Sequence, residues 1–264
     1  MKTDGLLKVA IMAAFLAGLG ASPGQAAVSA AEAKTIAGLQ KELDQLDKDL
    51  TKAEDVAAIK RLQRAYGYYL DKGLWEDLSQ LFTDDAVGSY PAGVFVGKAS
   101  LRQHFWRNVG DGDIGLKDGR LYNHMVEQPV VNVAKDGKTA MGRWRVVAMI
   151  GRMADKDGKG GQAMWAGGIY ENEYAKENGV WKIKNLHYYN GFSAPYEGGW
   201  GAVTPIKAAE PGAAPAAPET PRPSRFKLAH PADQPRNEAC DGFPKACIQP
   251  FHYPNPVSGR VTTP

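Results

Sequence analysis

Five histidines, His104, His124, His187, His230 and His252, are the side chains of this sequence best suited to move protons near neutral pH. They lie far apart in the chain. No group of His, Cys, Asp or Glu has the short spacing of a metal site, although distant positions could still meet in the fold. No glycine-rich loop follows a strand and opens a helix, and there is no Gly-x-Ser-x-Gly. Cofactor-free acid–base chemistry is the class these residue types leave open. The supporting polar groups fall into patterns. An aromatic run, Tyr66, Tyr68 and Tyr69, leads into Asp71. Tyr170, Asn172 and Tyr174 share one side of a strand pattern, as do Trp181, Ile183, His187 and Tyr189 unless Asn185-Leu186 marks a bulge. Arg143 and Arg145 share a side opposite Trp144. One of them could hold a phenolate or carboxylate, or both could be solvated strand arginines.

The elements that must position these residues are helices first, then strands. Residues 29–73 read as helical. Ile36, Leu39, Leu43, Leu46 and Leu50 recur at spacings of 3 and 4, the stripe of a pairing helix. Thr51-x-x-Glu54 has the form of a capping box, so a second helix is expected to begin there. Val56, Ile59, Leu62, Tyr66 and Tyr69 give it an apolar face, and Gly73 is placed to end it. Short helices are expected over Leu74–Phe82 and Lys98–Trp106. Strand patterns cover Val126–Ala134, Thr139–Ile150, Ala163–Lys176 and Val180–Tyr189, the last two flanking Asn178-Gly179, a hairpin signal. This order argues for an α+β fold with helices on one face of a bent antiparallel sheet.

The composition is that of a folded protein: 44% hydrophobic and 23% charged residues over a chain of 264. A formal charge of +3 and the lack of an Arg-rich stripe argue against a nucleic-acid partner. Lys2 and Lys8, the apolar run Val9–Leu19 and the small residues around Ala26 read as a signal peptide spanning 1–26. Its apolar run is too short to cross a bilayer. The expected location is therefore periplasmic or secreted, with no membrane contact after cleavage. Residues 27–53 read as a helical appendage, 54–203 as the α+β domain, and 204–264 as a Pro/Ala-rich linker with a C-terminal wrapping extension. In an oxidising compartment, Cys240 and Cys247 are expected to form a local disulfide.

Four stretches, AIKRLQRAYGYYLDKGLWEDLSQLFTDDAV, GKASLRQHF, NHMVEQPVVNV and YENEYAKENGVWKIKNLHYY, together resemble a SnoaL-like domain. That domain belongs to the nuclear-transport-factor-2-like superfamily, which includes scytalone dehydratase. The resemblance covers about residues 54–200. It implies a cone-shaped α+β barrel in which a curved antiparallel sheet packs on a long N-terminal helix and short helices. It implies that Asp71 lies at the deep end of a pocket beside His124, the acid fixing the imidazole's tautomer and the imidazole shuttling a proton. It aligns Tyr90 with a tyrosine that binds a substrate oxygen, while a core role for Tyr90 is equally open. Tyr68, Arg143, Tyr170, Asn172, His187 and Tyr189 are the further candidates for substrate binding. The exported, tailed form looks like the branch of lignin-derived diarylpropane γ-formaldehyde lyases. The expected function is thus a cofactor-independent lyase acting on a small aromatic molecule by acid–base catalysis, with release of formaldehyde the specific reading. A dehydratase or isomerase of a polyketide- or steroid-like compound, or a non-catalytic binding module, are the alternatives. Family precedent implies a homodimer or homotrimer.

Overall fold

The computed structural model describes residues 28–152, 162–196, 228–236, 251–258 and 261. The expected signal peptide and the Pro/Ala-rich linker lie outside them. So do Cys240 and Cys247. The disulfide expected between these two therefore falls outside the described residues and is not carried further. The chain forms two compact units, Met1–Leu50 and Thr51–Pro264. In the first unit Ile36, Leu39, Leu43, Leu46 and Leu50 form a helical stripe that is exposed, each side chain 48% or more accessible.

Helix α1 (Ala30–Asp71) runs without the start expected at Thr51. The capping box that opens it is Ser29-x-x-Glu32. The Glu32 backbone N–H donates to Ser29 Oγ (3.3 Å), and Glu32 Oε2 accepts from the Ser29 backbone N–H (2.8 Å). Asp71 closes the last turn. Gly73 then adopts φ +65°, and a Cβ there would lie 2.6 Å from the Gly115 carbonyl oxygen, so the helix ends where only glycine fits.

In the second unit α2 (Trp75–Gln80) leads into β1 (Phe82–Tyr90) and β2 (Gly93–Val96). Helix α3 (Lys98–Gln103) continues as a π-helical turn (His104–Val109). Four long strands follow: β3 (Arg120–Val133), β4 (Thr139–Arg152), β5 (Gln162–Glu177) and β6 (Val180–Pro195). They build one six-stranded sheet in the order β2-β1-β6-β5-β4-β3.

This sheet corrects the expected barrel. It is open: β3 pairs only with β4, and β2 pairs within the sheet only with β1. It is also mixed rather than antiparallel, because β1 runs parallel to β6 (Gly88 opposite Leu186, Ser89 opposite His187). The physical reason lies at the edges. The outer side of β2 is already taken at Val94, which forms an antiparallel bridge with Gln234 of the C-terminal segment. Such cover protects an edge from pairing with another chain. Curvature comes from register shifts between Glu127 and Val130, between Gly167 and Gly168, and between Glu173 and Tyr174. At the first of these, Gln128 takes φ +49°.

The core lies between α1, the short helices and one face of the sheet. Trp144, Tyr66, Tyr174, Phe82, Phe95, Phe105 and Ile183 are its large, fully buried side chains. Among the described residues no helix is long and apolar enough to cross a membrane.

Candidate active site

Asp71 and His124 meet, though 53 positions separate them. Asp71 sits on the last turn of α1, and His124 sits in β3. Gly67, one turn earlier on α1, allows the approach: a Cβ there would lie 3.3 Å from Val126 Cγ2 and 3.4 Å from the His124 carbonyl oxygen. Asp71 Oδ1 lies 2.7 Å from His124 Nδ1, and both carboxylate oxygens accept from the His124 backbone N–H at 3.0 Å. The carboxylate therefore fixes the strand and the ring together. With Asp71 as acceptor, Nδ1 carries the proton and Nε2 is the nitrogen able to take another. Both side chains are nearly buried, 9% and 14% accessible. That strengthens their mutual field over that of a surface pair.

A tyrosine cluster accompanies the pair. Tyr66 Oη lies 3.3 Å from Tyr90 Oη. The Tyr66 ring meets Tyr170 edge-on at 5.8 Å, and Tyr170 meets Tyr188 at 5.2 Å. Burial pushes the phenols of Tyr66, Tyr90 and Tyr170 well above their ordinary value; Tyr170 is raised further by Tyr66, Tyr188 and the Asp71 carboxylate. These phenols stay neutral. They can donate a hydrogen bond to a substrate oxygen but cannot serve as bases, which leaves that role to the imidazole.

The other expected site residues are placed elsewhere. Tyr68 is 69% exposed, on an open groove of about 510 Å³ lined by α1 residues including Lys60, Arg61 and Arg64. That groove contains neither Asp71 nor His124. Tyr66 takes the inward position instead, because Ile59, Gln63, Tyr66 and Leu70 repeat at the 3–4 spacing of the buried face. Arg143 lies on the opposite side of the sheet from Trp144, paired with Glu171, its guanidinium 4.0 Å from the centre of the Phe251 ring. Glu171 also lies 2.7 Å from His252 Nδ1. His187 stands opposite Glu171 in the ladder and stacks on Tyr189 at 4.1 Å, so both belong to that outer side. The extra residue is Lys184: Ile183 pairs with Tyr174 and Asn185 with Glu173, and the alternation flips between them. Leu186 and Tyr188 consequently take the inward positions.

Tyr170 and Asn172 are inward, as the alternation implied. Asn172 is fully buried in a polar network rather than open to a ligand. Its amide donates to Gln63 Oε1 (3.0 Å) and its Oδ1 accepts from the His187 backbone N–H (3.2 Å). Gln63 Oε1 also accepts from Tyr174 Oη at 2.8 Å, and Tyr174 Oη accepts from Trp144 Nε1 at 2.8 Å. Replacing Gln63 with leucine removes the shared acceptor and strands two buried donors. The expected cost is about 2–4 kcal/mol, read as a lower denaturant midpoint with an unchanged slope.

An open α+β sheet thus carries a carboxylate–imidazole pair beside buried neutral phenols. The family model described as SnoaL-like domain matches residues 51–187, just over half the chain, and the chain belongs to that family. Among solved structures it is similar to a putative scytalone dehydratase from Novosphingobium aromaticivorans: 23% identity, 61% of this chain and 98% of that one, TM-score 0.47. It is also similar to a hexachlorocyclohexane dehydrochlorinase from Novosphingobium barchaimii, with 19% identity, 57% of this chain and 95% of that one, and TM-score 0.48. These likenesses concern the fold alone.

Proposed function

We propose that this protein is a cofactor-independent lyase acting on a small aromatic molecule. The observation that carries the reading is the 2.7 Å contact between Asp71 and His124. It gives one imidazole a fixed tautomer and a second ring nitrogen turned away from Asp71. The neutral phenols of Tyr66, Tyr90 and Tyr170 supply aromatic lining and hydrogen-bond donors for a substrate oxygen.

One shuttling imidazole suits elimination. For a diaryl propane-1,3-diol, His124 takes the γ-hydroxyl proton. The carbon–carbon bond to that γ-carbon breaks as formaldehyde forms. Its electron pair makes the new alkene, and the benzylic hydroxyl departs. His124 returns its proton to that hydroxyl, which leaves as water. The diol becomes an alkene, formaldehyde and water, and the enzyme ends as it began. Simple dehydration uses the same shuttle, with the proton taken from carbon and no fragment released. The aromatic lining favours diaryl diols, and loss of formaldehyde is the specific form of this proposal.

Incubating the protein with a diaryl propane-1,3-diol tests it. The expected result is formaldehyde in equal amount with a new ultraviolet band of the conjugated alkene. Alkene without formaldehyde would replace the specific reaction with dehydration. No product from any aryl diol would overturn the lyase reading.

A further inference from the structure

The first unit carries an exposed apolar stripe, and the flanks of that stripe are acidic. Ile36, Leu39, Leu43, Leu46 and Leu50 fill heptad positions a and d of α1, and each is 48% or more exposed. Glu42 and Asp49 fall at g, and Gln40 and Asp47 at e, so carboxylates border the stripe on both sides. Lys41 and Lys48 fall at f, turned away from it. From Ile36 to Leu50 the stripe covers about 21 Å of helix. Two heptads are short for a coiled coil held by leucine packing alone, so such a stripe needs another surface to rest on.

The second unit has a surface of the opposite charge. Ala57, Lys60, Arg61, Arg64, Ala65 and Tyr68 follow one another at helical spacing and line the open groove of about 510 Å³. This is the face of α1 away from the one that Ile59, Gln63, Tyr66 and Leu70 bury. The two alanines leave room for larger side chains, and Tyr68, 69% exposed, offers an aromatic ring. Lys60, Arg61 and Arg64 form no salt bridge among the described residues. From Ala57 to Tyr68 the groove runs along about 17 Å of helix, close to the length of the stripe.

Charge decides what these two surfaces can hold. A stripe paired in parallel with another stripe would set Glu42 of one copy beside Asp47 of the next. Antiparallel pairing would set Glu42 beside Asp49. Both place acid against acid, which is unfavourable at such range. A groove set on another groove would crowd cations from both copies. A stripe laid in a groove sets carboxylates against cations and leucines against the alanines and Tyr68. Apolar burial then supplies the attraction, and charge selects the pairing. We infer that the leucine stripe of one copy docks in the basic groove of a second copy, so that the protein assembles with itself through α1. The inference rests neither on the Asp71–His124 pair nor on any reaction.

Sedimentation equilibrium of the full chain over a range of concentration and salt tests it. Wild-type protein is expected to gain mass as concentration rises, with an apparent Kd weakened about tenfold at high ionic strength. The groove variant Lys60→Glu/Arg61→Glu/Arg64→Glu should lose this association, and so should the stripe variant Glu42→Lys/Asp47→Lys/Asp49→Lys. Mixed together the two should associate again, because each offers the other opposite charge. A chain carrying all six changes should associate with itself. Leu39→Ser/Leu46→Ser should dissociate with every charge in place, which keeps the test open if a charge variant melts early by circular dichroism. A mass that does not rise with concentration would overturn the inference; cover of either surface by the protein's own tail or by a foreign partner would give that result. So would association that the groove variant leaves unchanged, or folded charge variants that stay apart when mixed.

Discussion

Replacing His124 with alanine is expected to lower turnover on the proposed substrates by about 10³-fold or more while leaving the protein folded. Loss of a general base commonly costs that much, and no buried phenol nearby can substitute. Asp71→Asn should cost about as much for a different reason. Both Asp71 oxygens accept from the His124 backbone N–H, and one also faces Nδ1. An amide presents an NH2 where an oxygen now accepts, so either the strand contact or the ring's tautomer is lost. Steady-state kinetics beside thermal melts separate chemistry from folding. Wild-type turnover in both variants, with unchanged melting, would remove His124 from the mechanism.

Folding stability should fall by about 2 kcal/mol between pH 6.5 and pH 4.5, before most carboxylates titrate. The cause is His104, 4% exposed and stacked on Phe95 at 3.9 Å. Burial, and then the nearby His230, lower it from 6.5 to about 3. The sign follows from proton counting. Below pH 6.5 the unfolded chain binds a proton that the folded chain refuses until about pH 3. Stability is therefore complete above 6.5, is lost through that window, and falls by about 4–5 kcal/mol in all. Denaturant unfolding at several pH values measures the slope. His104→Phe keeps an aromatic ring against Phe95, removes the titration, and should flatten the profile above pH 4.5. A wild-type profile already flat there would show that His104 titrates normally.

Much of the architecture is legible in the residues, and the exceptions have physical causes. The long strands and the Asn178-Gly179 turn follow from alternation and turn chemistry, and all four strands extend beyond their patterns. β1 is harder to see, since Thr-Asp-Asp-Ala-Val-Gly does not alternate; its pairing with β6 supplies what local propensity lacks. A capping box chosen at Thr51 rather than Ser29 reflects a motif that recurs by chance inside a helix. Barrel closure could not be read at all, because it depends on what occupies an edge, and here a segment more than 130 residues away takes it. For the site, Asp71 and His124 came from resemblance, and their contact needed coordinates. Assigning His187 and Tyr189 inward failed on one inserted residue, Lys184, which no composition signal marks. Tyr66 could have been preferred to Tyr68 from the helical face it shares with Ile59 and Leu70.

The family match stops at residue 187, midway along β6, which continues to Pro195. A recombinant fragment cut at that border would keep half a central strand. It would leave the first half of β5 without its neighbour and discard Tyr188 with everything beyond. Lengthening the fragment to residue 196 would repair the strand yet still strip the cover from Val94 and Val96, leaving a bare ribbon edge where chains can stick together. For anyone shortening this protein for crystals or assays, the smallest sound unit therefore reaches at least to Arg236, well past where similarity to relatives gives out.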